Sequence, residues 1–297
     1  MSVKALYTTQ IYDDFILAKR SILVTEGTIR FYGFTLQKFL EWLEDKGVTD
    51  PTDLHARHIR RFLSILTADG KSDSYVHGNA RAIKTFVRFL YNDGYIDKEI
   101  KFDMPPVRVK VLPVLNEDEL NVAISHCLSL RDKVIVLFLV DTGLRRAECC
   151  SLTWGNVDLK SGVVSLERGK GHKPRSVVIG KETRKLLISY MNQIRPEDDD
   201  TPLFLVKGGK GMTPGGLRSI LLRLSERCGL HITPHALRRT FATLALRAGM
   251  NPLHLQGLLG HSTLEMTRKY IRMVDDDLIK AHNAYSPIDK FASHRQF

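Results

Sequence analysis

Four short stretches in the second half of the chain hold basic, imidazole and phenol side chains close together: TGLRRAE (Thr142 to Glu148), RGKGHK (Arg168 to Lys173), HALRR (His235 to Arg239) and GHSTLEMTRKY (Gly260 to Tyr270). Each alone has an ordinary explanation, a solvated helix start or a surface hairpin. Together they are a kit for phosphodiester chemistry. Negative charge shifts onto the nonbridging oxygens in that transition state, and an arginine offers two donors in a fixed fork to receive it. Two arginines from separate stretches can clamp one phosphate. A lysine in a tight turn can protonate a leaving oxygen, and histidines titrating near 6.5 can give or take a proton at neutral pH. A tyrosine ordinarily titrates near 10, so as a nucleophile it needs a neighbouring base or a cationic field.

Several positions compete. Arg146 and Arg239 adjoin Arg145 and Arg238, and neighbours on a helix point about 100° apart, so one of each pair faces elsewhere. Arg168 and Lys173 compete with Lys170. Tyr190 and Tyr285 have no histidine box nearby and read as packing residues, while His172 and His254 read as structural or solvated.

The order of the stretches resembles the tyrosine recombinases, the phage integrase and Xer group: Thr142-Gly-Leu-Arg145 with Glu148, a lysine in a β-turn, His235-Ala-Leu-Arg238-Arg239-Thr240, then Gly260-His261 and Tyr270 nine residues on. The resemblance implies that Arg145 and Arg238 hold the scissile phosphate. It makes His235 and His261 its hydrogen-bond partners or managers of the tyrosine proton. Lys170, flanked by Gly169 and Gly171, falls where the family has its general acid. Glu148, three residues after Arg145 on one helical face, would orient active-site groups. Tyr270 would attack phosphorus and leave a 3′-phosphotyrosine. That ester conserves the bond energy, so neither ATP nor metal nor another cofactor is expected, in keeping with the missing P-loop and carboxylate cluster.

The elements that must position these residues are legible in outline. The first hundred residues carry apolar side chains at helical spacing. A first helix is expected near Tyr7 to Arg20. A second carries Ile29, Tyr32, Leu36, Phe39 and Leu43 and closes at Lys46-Gly47. A third, with Ile59, Phe62, Leu63 and Leu66, stops at Asp69-Gly70; a fourth enters at Ser72 or Asp73 and ends at Gly94. KFDMPPVRVKVLP, Lys101 to Pro113, neither continues a helix nor supports a central strand, and reads as a linker. Asn116 then caps a helix with an acidic first turn. Helical patterns run through Asp141. GVVSL (Gly162 to Leu166) and RSVVI (Arg175 to Ile179) read as a short hairpin around the basic turn, and helices follow over 181 onward, including 213–229, 234–249, 252–259 and 263–272. The expected domains are therefore 1–100, a linker 101–113, and 114–297. The fold class is mainly α: an N-terminal helical bundle, in the family a SAM-like core-binding DNA-binding domain, and an α+β catalytic domain with a small hairpin.

Composition narrows the partner. The 297 residues are 43% hydrophobic, enough for a sizeable core, and 44 Lys+Arg against 33 Asp+Glu give a formal charge of +11. That balance favours a polyanion, either nucleic acid or an acidic membrane surface. The longest apolar run, Val134 to Val140, is too short to span a bilayer, and the N-terminus lacks a signal peptide's apolar region, so a cytoplasmic protein is expected. The four cysteines, Cys127, Cys149, Cys150 and Cys228, lack metal or disulfide spacing and read as reduced core thiols.

The resemblance implies double-stranded DNA with specific recombination sites as partner, and a homotetramer joining two such sites in integration, excision, transposition or resolution. Arg81, Lys84 and Arg88, on one helical face, are expected on phosphates, as are Arg108, Lys110, Lys173 and Arg239. The tail beyond Pro287, with Ile288 and Phe291, is expected to dock on a neighbouring subunit. Two rivals share the fold or the chemistry: a noncatalytic DNA-binding regulator, which would need neither Tyr270 nor the lysine turn, and a type IB topoisomerase, disfavoured by the small helical N-terminal domain.

Overall fold

The computed structural model describes residues 3–108, 113–166, 174–260, 263, 267 and 270, with side chains from Gln10 onward. It divides into two compact units, Met1–Lys110 and Val111–Phe297.

The first unit is a bundle of α1 (Val3–Ser21), α2 (Glu26–Asp45), α3 (Ala56–Ala68) and α4 (Asp73–Asn92). Side-chain caps open two of these helices, and the one at α4 is Ser72, where the sequence puts the start of that helix. Thr25 accepts the Thr28 N–H to open α2, Ser72 accepts the Tyr75 N–H to open α4, and each cap satisfies a donor the first turn leaves orphaned. Phe15 sits at the centre, edge-on to Tyr32, Phe86 and Phe89 with ring centroids 5.2 to 5.4 Å away, a geometry that suits the ring quadrupoles. The expected linker starts inside this core. Phe102 is buried in it, Ile100 and Met104 pack against it, and the Pro105 carbonyl lies 2.7 Å from His77 Nδ1.

The second unit is built around α6 (Leu130–Thr142), whose Val134, Ile135, Val136, Phe138 and Leu139 are all fully buried. An apolar run facing every direction belongs in a core, and α6 packs on α8 (Lys181–Ile194) and α10 (Pro234–Arg247). Around it lie α5 (Glu117–Ser125), α7 (Arg146–Ser151), α9 (Pro214–Cys228) and α11 (Pro252–Leu259). The hairpin forms as β1 (Val163–Leu166) against β2 (Arg175–Val178), antiparallel, with Val164 opposite Val177. Thr240, in α10, accepts the Leu115 N–H through its fully buried hydroxyl and so pins the entry of this unit. No helix among the described residues is long and apolar enough to cross a membrane.

Candidate active site

The site is assembled at the C-terminal ends of two helices. Gly143 caps α6 and Gly260 caps α11, both left-handed with φ of 61°, a conformation that a Cβ makes costly. Arg238 reaches from α10 into both ends: Nη1 donates to the Gly143 carbonyl at 2.6 Å and Nη2 to the Leu259 carbonyl at 2.7 Å. The guanidinium side chain is buried, its residue only 5% exposed, and burying a cation is expensive without partners. Here orphan carbonyls at the negative ends of two helix dipoles supply them. Burial, then the charge of Arg145, lowers the Arg238 pKa to about 10, while Tyr270 and Glu148 oppose the fall. It stays a cation at neutral pH.

Arg145 precedes α7 as its N-cap, with extended φ and ψ of −70° and 150°. Its partnership with Glu148 therefore crosses the helix cap and does not run along one helical face. Glu148 Oε2 accepts the Arg145 backbone N–H at 2.7 Å and Oε1 accepts Arg145 Nη1 at 2.9 Å. Arg145 Nη2 donates to the Gly260 carbonyl at 3.1 Å. A second cation shares the carboxylate: Arg175 Nη2 lies 2.8 Å from Glu148 Oε2, and Arg175 Nε donates to the Leu258 carbonyl at 3.1 Å. Burial pushes the Glu148 carboxyl up. The Arg175 hydrogen bond, the Arg145 backbone N–H, the Arg175 charge and the Arg145 side-chain hydrogen bond outweigh it and hold the pKa at about 2. Three successive carbonyls, of Leu258, Leu259 and Gly260, thus each accept from a different arginine.

His235 stands in the first turn of α10, which Thr233 caps by accepting the Ala236 N–H. Partial desolvation, then repulsion from Arg238, Arg239, Arg146 and Arg145, lowers its pKa, so the free imidazole is neutral at pH 7. Tyr270 is helical and packs against Ala242, Leu255 and Leu259. It lies within electrostatic range of Arg238 and Arg239.

Of the residues singled out in the sequence, Arg145, Glu148, His235, Arg238 and Tyr270 come together in this unit. Arg239 is half-buried and donates through Nε and Nη2 to the Pro113 carbonyl at 3.3 and 3.1 Å. Lys170, Arg168, Lys173, His172, His261, Lys110, Tyr285 and the tail from 271 lie outside the described residues. In the first unit Arg81, Lys84 and Arg88 are exposed on α4, Arg81 lying 5.8 Å over the Phe31 ring, and Arg108 is exposed with Nε 4.0 Å from Asp73. Tyr190 is buried and its hydroxyl accepts the Leu205 N–H, a packing role. His254 is exposed. Of the cysteines only Cys149 is fully buried; burial raises Cys127 and Cys150 to about 11, too high for thiolate chemistry at neutral pH.

Arg175 belongs to the site although no motif in the sequence singles it out. Its signal is the period-two alternation of RSVVI, which puts Arg175 on the same face as buried Val177. A cation turned toward a core needs a buried anion, and Glu148 is that anion.

Comparisons with known proteins give the family and the fold. Residues 111–276 match the phage integrase family. Tyrosine recombinase XerA of Saccharolobus solfataricus is 30% identical over 274 residues, covering 90% of each chain. Tyrosine recombinase XerC of Oceanobacillus iheyensis is 30% identical over 88% of this chain and 90% of its own. Among solved structures, a lambda integrase dimer bound to a COC′ core site superposes with a TM-score of 0.74 at 17% identity, covering 88% of this chain and 94% of that one. The Tn1549 transposon integrase in complex with a circular intermediate DNA gives 0.71 at 22%, covering 91% and 94%. These two likenesses establish the fold, and the family match together with the 30% identity across most of the chain establishes kinship: the chain belongs to the phage integrase family and is a tyrosine recombinase.

Proposed function

We propose that the chain recombines DNA at specific sites through a covalent link to Tyr270. The phenolic oxygen attacks the scissile phosphorus, the bond from phosphorus to the 5′-oxygen breaks, and a 3′-phosphotyrosine remains. The phenol's proton passes toward the histidines, and Lys170 gives a proton to the departing 5′-oxygen. A 5′-hydroxyl from the partner strand then reverses the step, so the phosphoester energy is carried through without ATP. Arg145 and Arg238 receive the nonbridging oxygens, with His235 and His261 beside them. The chain acts on double-stranded DNA, as a homotetramer across two sites, in integration, excision, transposition or resolution. On this reading Arg81, Lys84, Arg88, Arg108, Lys110, Lys173 and Arg239 contact DNA, the first three from an N-terminal DNA-binding domain over 1–100.

The observation that carries the reading is the placement of Arg145 and Arg238 on one helix end with the Tyr270 phenol in electrostatic range of Arg238. A strand-exchange assay tests it, with two differently labelled duplexes bearing a site recovered from a random-sequence pool by binding to this chain. Recombinant duplexes joining the two labels are expected. Relaxation of supercoils without exchange would point to a topoisomerase, and binding without cleavage to a regulator.

A further inference from the structure

Resting on that reading, we propose that Arg175 is a positioning residue for phosphate recognition, acting through Glu148 to keep Arg145 available as a cation. Arg145 and Glu148 alone would form a closed pair of zero net charge. Glu148 would be free to turn both oxygens onto the one guanidinium, and the fork meant for a phosphate would be occupied by a carboxylate. Arg175 prevents this by taking part of the carboxylate, its Nη2 standing 2.8 Å from Oε2 while Arg145 Nη1 keeps Oε1 at 2.9 Å. With both arginines present the triad carries one net positive charge, which adds to that of Arg238.

The burial order fits a support under a working group. The Arg175 side chain is 13% exposed, Glu148 18% and Arg145 29%, so the outermost member is the one that faces substrate. Arg175 is also fixed from its other side. Its Nε holds the Leu258 carbonyl, and Gly260 lies against its guanidinium so closely that a Cβ there would come 2.9 Å from Cζ. The Gly260 carbonyl in turn receives Arg145 Nη2. Arg175 therefore sets Arg145 by two routes, the shared carboxylate and the end of α11.

The test uses the full chain and a nicked suicide duplex carrying the selected site, with single-turnover cleavage and Kd measured separately. Arg175→Gln is expected to slow cleavage at least about 30-fold with Kd changed no more than about twofold, since phosphate contacts elsewhere dominate affinity. Arg175→Lys should fall between Arg175→Gln and wild type. Arg175→Gln combined with Glu148→Gln should cleave at least about fivefold faster than Arg175→Gln alone, because the anion that closes on Arg145 is gone. A merely structural arginine would give no such rescue. Wild-type cleavage by Arg175→Gln, or a double variant no faster than the single one, would overturn the assignment. If circular dichroism shows Arg175→Gln unfolded, Arg175→Lys decides alone: a wild-type rate overturns the proposal, and a rate lowered at least fivefold at unchanged Kd supports it. Failure of the wild-type chain to form any covalent product would instead remove the recombinase reading.

Discussion

Arg238 places Nη1 2.6 Å from the carbonyl oxygen of Gly143, 95 residues earlier in the chain. This contact ties α10 to the end of α6 and makes the glycine's conformation part of the site. Gly143→Ala would force an alanine to φ 61° and bring its Cβ 2.3 Å from Phe241 Cδ1 and 3.0 Å from Leu259 Cδ2. Strain and overpacking together should destabilise the protein by about 2 to 3 kcal/mol, read as a lower urea midpoint. Phe241→Ala in the same chain should recover part of that loss, a coupling a double-mutant cycle detects. An unchanged midpoint for Gly143→Ala would contradict the close approach of Phe241 and Leu259 to Gly143.

Glu148 makes stability depend on pH in a defined direction. Its carboxyl is held at about 2 in the folded chain, below its ordinary 4.5, so its contribution is complete above the unfolded value and is lost as pH falls through the folded one. The difference corresponds to about 3 kcal/mol at neutral pH. Urea unfolding of wild type and Glu148→Gln should show a stability gap that narrows by roughly 1 kcal/mol between pH 7 and pH 3.5. A gap independent of pH would mean that the two arginines do not hold the carboxylate.

Much of the scaffold is legible in the sequence, because it is written in local signals. Asn116, Thr213 and Ser72 cap helices where side-chain acceptors precede apolar periodicity, and the β-branched runs at Val163 and Arg175 pair as a hairpin. Contacts closed over long separations are not legible there. That Arg238 ends on the carbonyls of Gly143 and Leu259 depends on how α6, α10 and α11 pack. The burial of Phe102 beyond the expected domain end and the sharing of Glu148 by Arg175 are tertiary facts of the same kind, whereas the Arg145 cap closes locally on Glu148, three residues on. The types in the site announce phosphate chemistry, while its wiring is set by which helix ends meet.

His235 should titrate below 6.5 in the free protein, because desolvation and the neighbouring arginines disfavour its cation. An NMR titration of its imidazole checks this. Arg146→Ala, which removes one of the four repelling charges, should move the titration upward, and so should addition of the selected duplex, whose phosphate favours the protonated ring. A value at or above 6.5 in the free wild-type chain would contradict the arrangement.

The exposed face of Arg81, Lys84 and Arg88 on α4 should act as a phosphate-binding stripe. Replacing all three with glutamine is expected to reduce the slope of log K against log salt by about 2.7, nine-tenths of a counterion for each phosphate that is no longer neutralised. A slope equal to wild type's would remove this face from the DNA interface.

In the proposed reaction residue 270 becomes covalently joined to DNA. Incubating the full chain with the nicked suicide duplex, digesting, and locating the phosphodeoxynucleotide by mass spectrometry tests it directly. A single modified peptide carrying its adduct on Tyr270 is expected, and no covalent product from Tyr270→Phe. An adduct on any other residue, or strand breakage by Tyr270→Phe at the wild-type rate, would contradict it.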